Sequence, residues 1–327
     1  MDCRFSTLFA ASLVFVNLVV SATLSSSQPL APTHNDVVYG AIEPDDGGRR
    51  ALHIDLWLPQ ASDPTPLVVW IHGGAWMGGS YNAPPIGLKQ LLDRGFAVAS
   101  VEYRLSGEAI APAQIHDVKG AVRYLRANAE EYNLDPDAFA AWGSSAGGHL
   151  TALLATSGGV ADAEGDIGGN LDHSSVIQAA VNYFGPTDLL QMNADVRTPP
   201  GSVIDHDDPT APESRLIGFD GAGKGVGVLR DNLANPAAPF PEKAALARLM
   251  NPIEHVTAND PPMFIAHGDK DNVVPYQQSV RLEQALRNAG VGCELRRVAD
   301  EGHGGPRFQP FTVEAIDFLA EHLLTHP

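Results

Sequence analysis

A serine hydroxyl attacks a carbonyl only when a base takes its proton as the new bond forms. The segment Gly143-Ser144-Ser145-Ala146-Gly147 has the residue types for presenting such a hydroxyl on a tight strand-to-helix turn. Small residues on both sides of the serine let the two chain segments approach closely. The flanks agree with this reading. Asp137–Trp142 reads as a buried strand, Ala146–Ser157 as a compact apolar helix, and Gly148 adds clearance. Ser145 is therefore the candidate nucleophile, and Ser144, one position earlier, is its rival.

Acyl transfer builds negative charge on the carbonyl oxygen, which must meet preset N–H donors. His72-Gly73-Gly74-Ala75-Trp76 follows directly on the apolar run Leu67–Ile71, and consecutive glycines let backbone amides turn toward a ligand. Gly74 and Ala75 are the candidate donors, joined by Ala146 at the start of the helix. Gly73 replaces one of them if the loop is wound differently by one residue. His72 is read as a brace for this loop.

The base should sit in a loop after the last strand. His303 does, flanked by glycines in Asp300-Glu301-Gly302-His303-Gly304-Gly305. His149 on the helix after the turn reads as a satisfied core residue, and His255, His322 and His326 as structural or exposed. An imidazole also needs a carboxylate to hold its tautomer and stabilise its charged form. Asp271 in His267-Gly268-Asp269-Lys270-Asp271 is the leading candidate, with Asp269 and Asp188 as rivals. The order Ser, Asp, His along the chain is that of a strand-turn-helix nucleophile elbow.

The elements that must carry these residues alternate along the chain. His53–Leu58 alternates with period two and is expected as an antiparallel edge strand. Leu67–Ile71, Phe96–Val101 and Asp137–Trp142 are short apolar runs that suit strands buried on both faces, and further strands are expected at Ile177–Phe184, Pro262–His267 and Glu294–Val298. Helical spacing is expected over Ile86–Arg94, Ile115–Tyr132, Ser279–Asn288 and Phe311–Leu324. Such alternation predicts an α/β fold with a mostly parallel sheet covered on both faces. The stretch 189–251 breaks the rhythm, being rich in Pro, Gly and Asp. Lying between two core strands, it is expected as a small cap-like insertion rather than a separate domain.

The remaining composition narrows partners and location. With 327 residues and a formal charge of −18, the chain is a poor match for nucleic acid or an anionic membrane. Residues 1–22 combine a weakly basic start, an apolar run and small residues at Val20-Ser21-Ala22, which predicts a signal peptide and a secreted or periplasmic protein. No stable membrane insertion is expected after processing. Residues 23–36 read as a flexible tether, and 37–327 as the folded domain. Cys3 lies in the segment expected to be removed, so Cys293 would be the one thiol left, read as buried and structural. Asp205-His206-Asp207-Asp208 reads as solvated carboxylates rather than a metal site, and no metal or cofactor is expected.

Taken together, His72-Gly73-Gly74-Ala75-Trp76, Tyr103-Arg104-Leu105, Gly143-Ser144-Ser145-Ala146-Gly147-Gly148-His149 and His267-Gly268-Asp269-Lys270-Asp271 closely resemble the α/β-hydrolase esterases. The resemblance runs from Val37 to Leu324 and is strongest toward the hormone-sensitive-lipase-like and feruloyl-esterase-like carboxylesterases. Two motifs depart from the hormone-sensitive-lipase pattern: Ala75 stands where a third glycine is usual, and Ser144 where an aspartate is usual. The resemblance implies an α/β-hydrolase fold and a carboxylesterase acting through an acyl-enzyme. Small-molecule or polysaccharide-linked esters of acetyl or feruloyl type would be its substrates. Another serine acyl hydrolase, a peptidase or an arylformamidase, and a non-catalytic binding module of the same fold, are the competing readings.

Overall fold

The computed structural model describes residues 30–43, 47–196 and 204–324. The expected signal peptide and the first part of the tether lie outside the described residues. Among the described residues one eight-stranded sheet forms, in the order β1-β2-β4-β3-β5-β6-β7-β8. Its strands are β1 (His34–Ile42), β2 (Arg50–Trp57), β3 (Thr65–Ile71), β4 (Ala97–Val101), β5 (Leu134–Ser144), β6 (Ala179–Tyr183), β7 (Met263–Gly268) and β8 (Cys293–Val298). β1 pairs antiparallel with β2, and β2 antiparallel with β4, while every later pairing is parallel. The helices are α1 (Leu88–Asp93), α2 (Ala113–Ala127), α3 (Ala146–Thr156), α4 (Ala161–Glu164), α5 (Met192–Asp195), α6 (Pro212–Leu216), α7 (Val226–Asp231), α8 (Phe240–Leu249), α9 (Tyr276–Asn288) and α10 (Gln309–Leu323).

The central parallel strands β3, β4, β6 and β7 are buried on both faces because helices cover both, whereas β8 at the sheet edge keeps Glu294, Arg296 and Arg297 in ion pairs. Along β3, Leu67, Val69 and Ile71 enter one core with residues of α2, α3 and α9, whereas Val68 and Trp70 enter a second with residues of α1 and α10. The chain adds β4 on one side of β3, then crosses back to place β5 on the other. Such a reversal opens a crevice at the carboxyl ends of the two central strands, where open α/β sheets bind ligands. Both Ser145, after β5, and the His72 loop, after β3, lie at that crevice.

Two expectations need correction. His53–Leu58 falls largely in β2, which is antiparallel but not an edge, since β1 covers it. Its inward residues Leu52, Ile54 and Leu56 are fully buried, which an edge strand facing water would not need. The last residues of the expected tether, His34 to Asp36, begin β1 instead of dangling. The Trp57 indole N–H donates to Leu30 O (2.9 Å) and the Tyr39 hydroxyl to Glu102 O (2.6 Å), tying this segment down. The polar start of β1 hides it from a search for apolar alternation.

The 189–251 stretch leaves the sheet after β6 and returns before β7, as an excursion within one fold. It carries α5, α6, α7 and α8. Helices of four to six residues are too short to show a period, which explains why the sequence reads as irregular. The excursion packs against the loop before α2, where Ala111 N donates to Leu216 O (2.8 Å). Cys293 opens β8 half-buried and unpaired, and burial pushes its thiol up to about 12, so it is an unreactive packing residue. Among the described residues no helix is long and apolar enough to cross a membrane.

Candidate active site

Ser145 sits between β5 and α3 with φ 55° and ψ −125°, a backbone conformation that a non-glycine residue adopts only under constraint. The constraint is visible. Ser145 N donates to Tyr183 O (2.9 Å) on the adjoining strand, and Ser145 O accepts from His149 N (2.9 Å) in the following helix. A side chain at Gly147 would overlap the carbonyl oxygens of Ile71 and His72, and one at Gly143 would overlap Gly147 O. The glycines of the motif are thus demanded by β3 and α3 touching backbone to backbone. Ser144 ends β5 in register with Tyr183, one residue short of the turn.

Three loops converge on the Ser145 side chain. His303 Nε2 accepts from the Ser145 hydroxyl at 2.8 Å, and His303 Nδ1–H donates to Asp271 Oδ2 at 2.7 Å. The Asp271 side chain is wholly buried, and its other oxygen accepts from the amides of Val273 (2.8 Å) and Val274 (2.9 Å). Burial disfavours its charge, but the hydrogen bonds with His267 and His303 outweigh that and hold the carboxyl well below the usual range. A carboxylate at Asp271 keeps the proton of His303 on Nδ1 and leaves Nε2 free to take one from Ser145. The rivals are occupied elsewhere. Asp269 accepts from Asp300 N (2.8 Å) and pairs with Arg297 (2.7 Å), while Asp188 accepts from Leu190 N and Asn251 Nδ2, each at 3.1 Å.

The loop after β3 lies against this serine. Gly74, Ala75 and Trp76 all have positive φ (119°, 55° and 56°), which turns the chain sharply back on itself. Gly74 O accepts from Met77 N and Gly78 N, each at 3.0 Å, and an added side chain at Gly74 would overlap Gly78 O. Gly73 comes so near that its added Cβ would lie 3.3 Å from Ser145 Cβ. Ala146 is the first residue of α3, so its amide has no acceptor within the helix. His72 braces the loop: its Nδ1–H donates to Gly73 O (2.8 Å), its ring stacks on Tyr103 (4.3 Å), and the Tyr103 hydroxyl donates to His72 O (2.9 Å). Burial lowers its pKa, which suits a neutral structural imidazole.

Two contributors escaped the sequence reading. Phe184 follows β6 with φ 41°, rare for a bulky residue, and sets its ring edge-on to His303 at 4.6 Å. No sequence signal marks a left-handed phenylalanine. His267 was quoted as part of a motif without a role. Its Nδ1 accepts from the Ser279 hydroxyl (2.7 Å), and its Nε2–H donates to Val274 O (2.9 Å) while lying 3.2 Å from Asp271 Oδ2. Its place at the carboxyl end of a buried strand, the same edge as the other site residues, was the available clue.

His149, His255 and His322 sit in structural contacts. His149 is fully buried; His255 Nε2–H donates to Leu249 O (2.8 Å), and His322 Nδ1–H to Phe318 O (2.9 Å). His326 lies outside the described residues. Among the described residues no cluster of His, Cys, Asp or Glu is set to hold a metal ion. In the acidic run, Asp207 pairs with Arg230 through both oxygens (2.7 and 2.6 Å), Asp208 caps Thr210 N (2.7 Å) and His206 pairs with Glu213 (2.9 Å).

Residues 54–286, from β2 through most of α9, match the BD-FAE family. The chain belongs to the BD-FAE family. Within this family match fall the β3 loop, the Ser145 turn and Asp271, while His303 follows it. The chain is 29% identical over 262 residues to esterase LipQ of Mycobacterium tuberculosis, covering 79% of this chain and 53% of LipQ. It spans about half the length of the curated relatives it matches. A truncated carbohydrate esterase from gut microbiota superposes with a TM-score of 0.73 at 32% identity, covering 89% of this chain and 96% of that one. A bifunctional GH43-CE protein of Bacteroides eggerthii gives 0.71 at 34% identity, covering 88% of this chain and 38% of that one. The BD-FAE sheet with its helices is an α/β-hydrolase fold.

Proposed function

We propose that this BD-FAE chain is a serine carboxylic-ester hydrolase working through an acyl-enzyme at Ser145. The observation that carries the reading is the continuous hydrogen-bond line from the Ser145 hydroxyl through His303 to buried Asp271. Ser145 Oγ attacks the ester carbonyl as its proton passes to His303 Nε2, while Asp271 stabilises the imidazolium that forms. The amides of Gly74, Ala75 and Ala146 receive the oxyanion. Collapse of the tetrahedral species expels the alcohol, which takes its proton from His303. Water, deprotonated by the same imidazole, then releases the acid and restores Ser145.

The family match and the two carbohydrate-esterase structures support acetyl- or feruloyl-type esters on a carbohydrate as the substrate class. The sequence of residues 1–22 supports export, so such a polymer would be met outside the cytoplasm. Ser145→Ala should reduce hydrolysis of p-nitrophenyl acetate by at least about 10³-fold while the circular-dichroism spectrum and Tm stay those of the wild type. It should also lose labelling by a fluorophosphonate probe. Turnover retained by Ser145→Ala overturns the reading. A panel of methyl ferulate, acetylated xylan, an N-formyl arylamine and a peptide amide then assigns the substrate, and preference for either amide would replace the ester reading.

A further inference from the structure

Behind the loop of the proposed oxyanion hole lies a buried polar contact that the reaction itself does not use. The Trp76 indole N–H donates to His149 Nδ1 (3.2 Å), and the rings meet edge-on at 5.1 Å. On its other side His149 Nε2–H donates to Met250 O (2.6 Å). Trp76 is 2% exposed and His149 not at all. His149 N also donates to Ser145 O, so the same residue grips the nucleophile turn.

Met250 is no ordinary acceptor. It is the last residue but one of the 189–251 excursion, and the last, Asn251, binds the excursion's start. Asn251 Oδ1 accepts from Leu189 N (2.9 Å), and its Nδ2 donates to Asp188 (3.1 Å). Both ends of the excursion are thus gathered at one neck, and His149 is bonded to that neck.

We propose that His149 is a positioning residue: through Trp76 it holds the oxyanion loop in its working shape and couples that shape to the neck of the excursion. The inference rests on the ester-hydrolase reading. A plain core residue would do less. An apolar side chain could fill this space without the cost of burying an imidazole. A fully satisfied polar contact instead admits one arrangement, because any shift leaves a buried donor or acceptor unpaired. The loop needs such an anchor, since Gly74, Ala75 and Trp76 are three consecutive residues at positive φ. Accepting from Trp76 places the single ring proton on Nε2, and burial lowers the ring's pKa to about 4, so the arrangement persists at neutral pH.

The test uses Trp76→Phe, which keeps an aromatic ring and removes its N–H, alongside His149→Leu and the double variant. Each is assayed on p-nitrophenyl acetate and with a trifluoromethyl ketone, whose hemiketal on Ser145 places an oxyanion among the loop amides. Each single variant should lose about ten- to a hundredfold in kcat with KM within about twofold, since misplaced donors act on the transition state. The ketone's Ki should rise in parallel. The double variant should be little worse than either single one, the mark of two residues sharing one contact. Fluorophosphonate titration counts the folded, reactive enzyme, so a loss of protein is not read as a loss of kcat. Wild-type kcat and ketone affinity in Trp76→Phe, or additive losses in the double variant, overturn the coupling. The ester reading falls separately, if Ser145→Ala retains activity.

Discussion

The carboxyl edge of the sheet and the 189–251 excursion are built by different means. At the edge, backbone meets backbone. Gly147 admits no side chain, and the Asp271 and His303 loops are stitched by Lys270 N to Glu301 O (2.9 Å) and Asp269 N to Val298 O (3.1 Å). The excursion is held by pairs of side chains instead. Arg230 grips Asp207, His206 pairs with buried Glu213, and the Asn193 side-chain amide donates to Asp205 (2.6 Å). A backbone lock tolerates few substitutions, whereas a side-chain clasp can be exchanged for another. The edge is therefore suited to fixed chemistry, and the excursion to variable selection of what reaches it.

That contrast is tested most severely at Asp271. Asp271→Asn preserves the size of the buried group but removes the carboxylate that sets the tautomer of His303 and stabilises its charged form. kcat for p-nitrophenyl acetate should fall by about 10³- to 10⁴-fold, with KM changed far less. A loss below about tenfold would mean that the edge does not act as one catalytic unit.

The same contrast explains what was legible beforehand. The Ser145 turn could be read because sterics alone demand Gly143 and Gly147, and His303 because its loop follows the last strand. Asp271 led in the sequence, but residue type alone could not complete the choice over Asp269, since both acids lie in one loop. It is made by the Val273 and Val274 amides and by His267, partners that only the folded loop brings together. Phe184 beside His303 depends on a left-handed backbone that no local pattern announces. β1 was lost to its polar first residues, and α5, α6 and α7 to their brevity. Their pairings, Asn193 with Asp205 and Arg230 with Asp207, join residues too far apart along the chain for spacing to reveal.

A smaller effect separates the two regions by pH. His149, at the seam between them, has a pKa lowered to about 4 from 6.5. Between those values the unfolded chain binds more protons than the folded one, so stability falls as pH falls across that window. The contribution is at most about 3 kcal/mol, from 1.36 kcal/mol for each pKa unit. Asp271, held below the usual carboxylate range, adds its own loss only as pH drops below about 4. Thermal melts from pH 7 downward should therefore show a first decline below about pH 6.5 that is shallower in His149→Leu, where His72, also lowered by burial, still contributes. The same slope in both proteins would remove His149 from the account.

The mildest change should come from the excursion's rim. Arg215 on α6 reaches across to Met77, with 3.9 Å between guanidinium nitrogen and sulfur, where the loop after β3 passes into solvent. Among the described residues no hydrogen-bond line leads from the Arg215 side chain to Ser145, so its loss leaves the attack geometry alone. What it can alter is the wall that a large acyl or sugar group would meet beside the oxyanion loop. Arg215→Ala should keep kcat/KM for p-nitrophenyl acetate within about twofold and change that for methyl ferulate several-fold, through KM, as expected for binding common to ground and transition states. Equal changes on both esters would place α6 in the catalytic machinery. No change on either would mean that large groups enter along another side of the crevice.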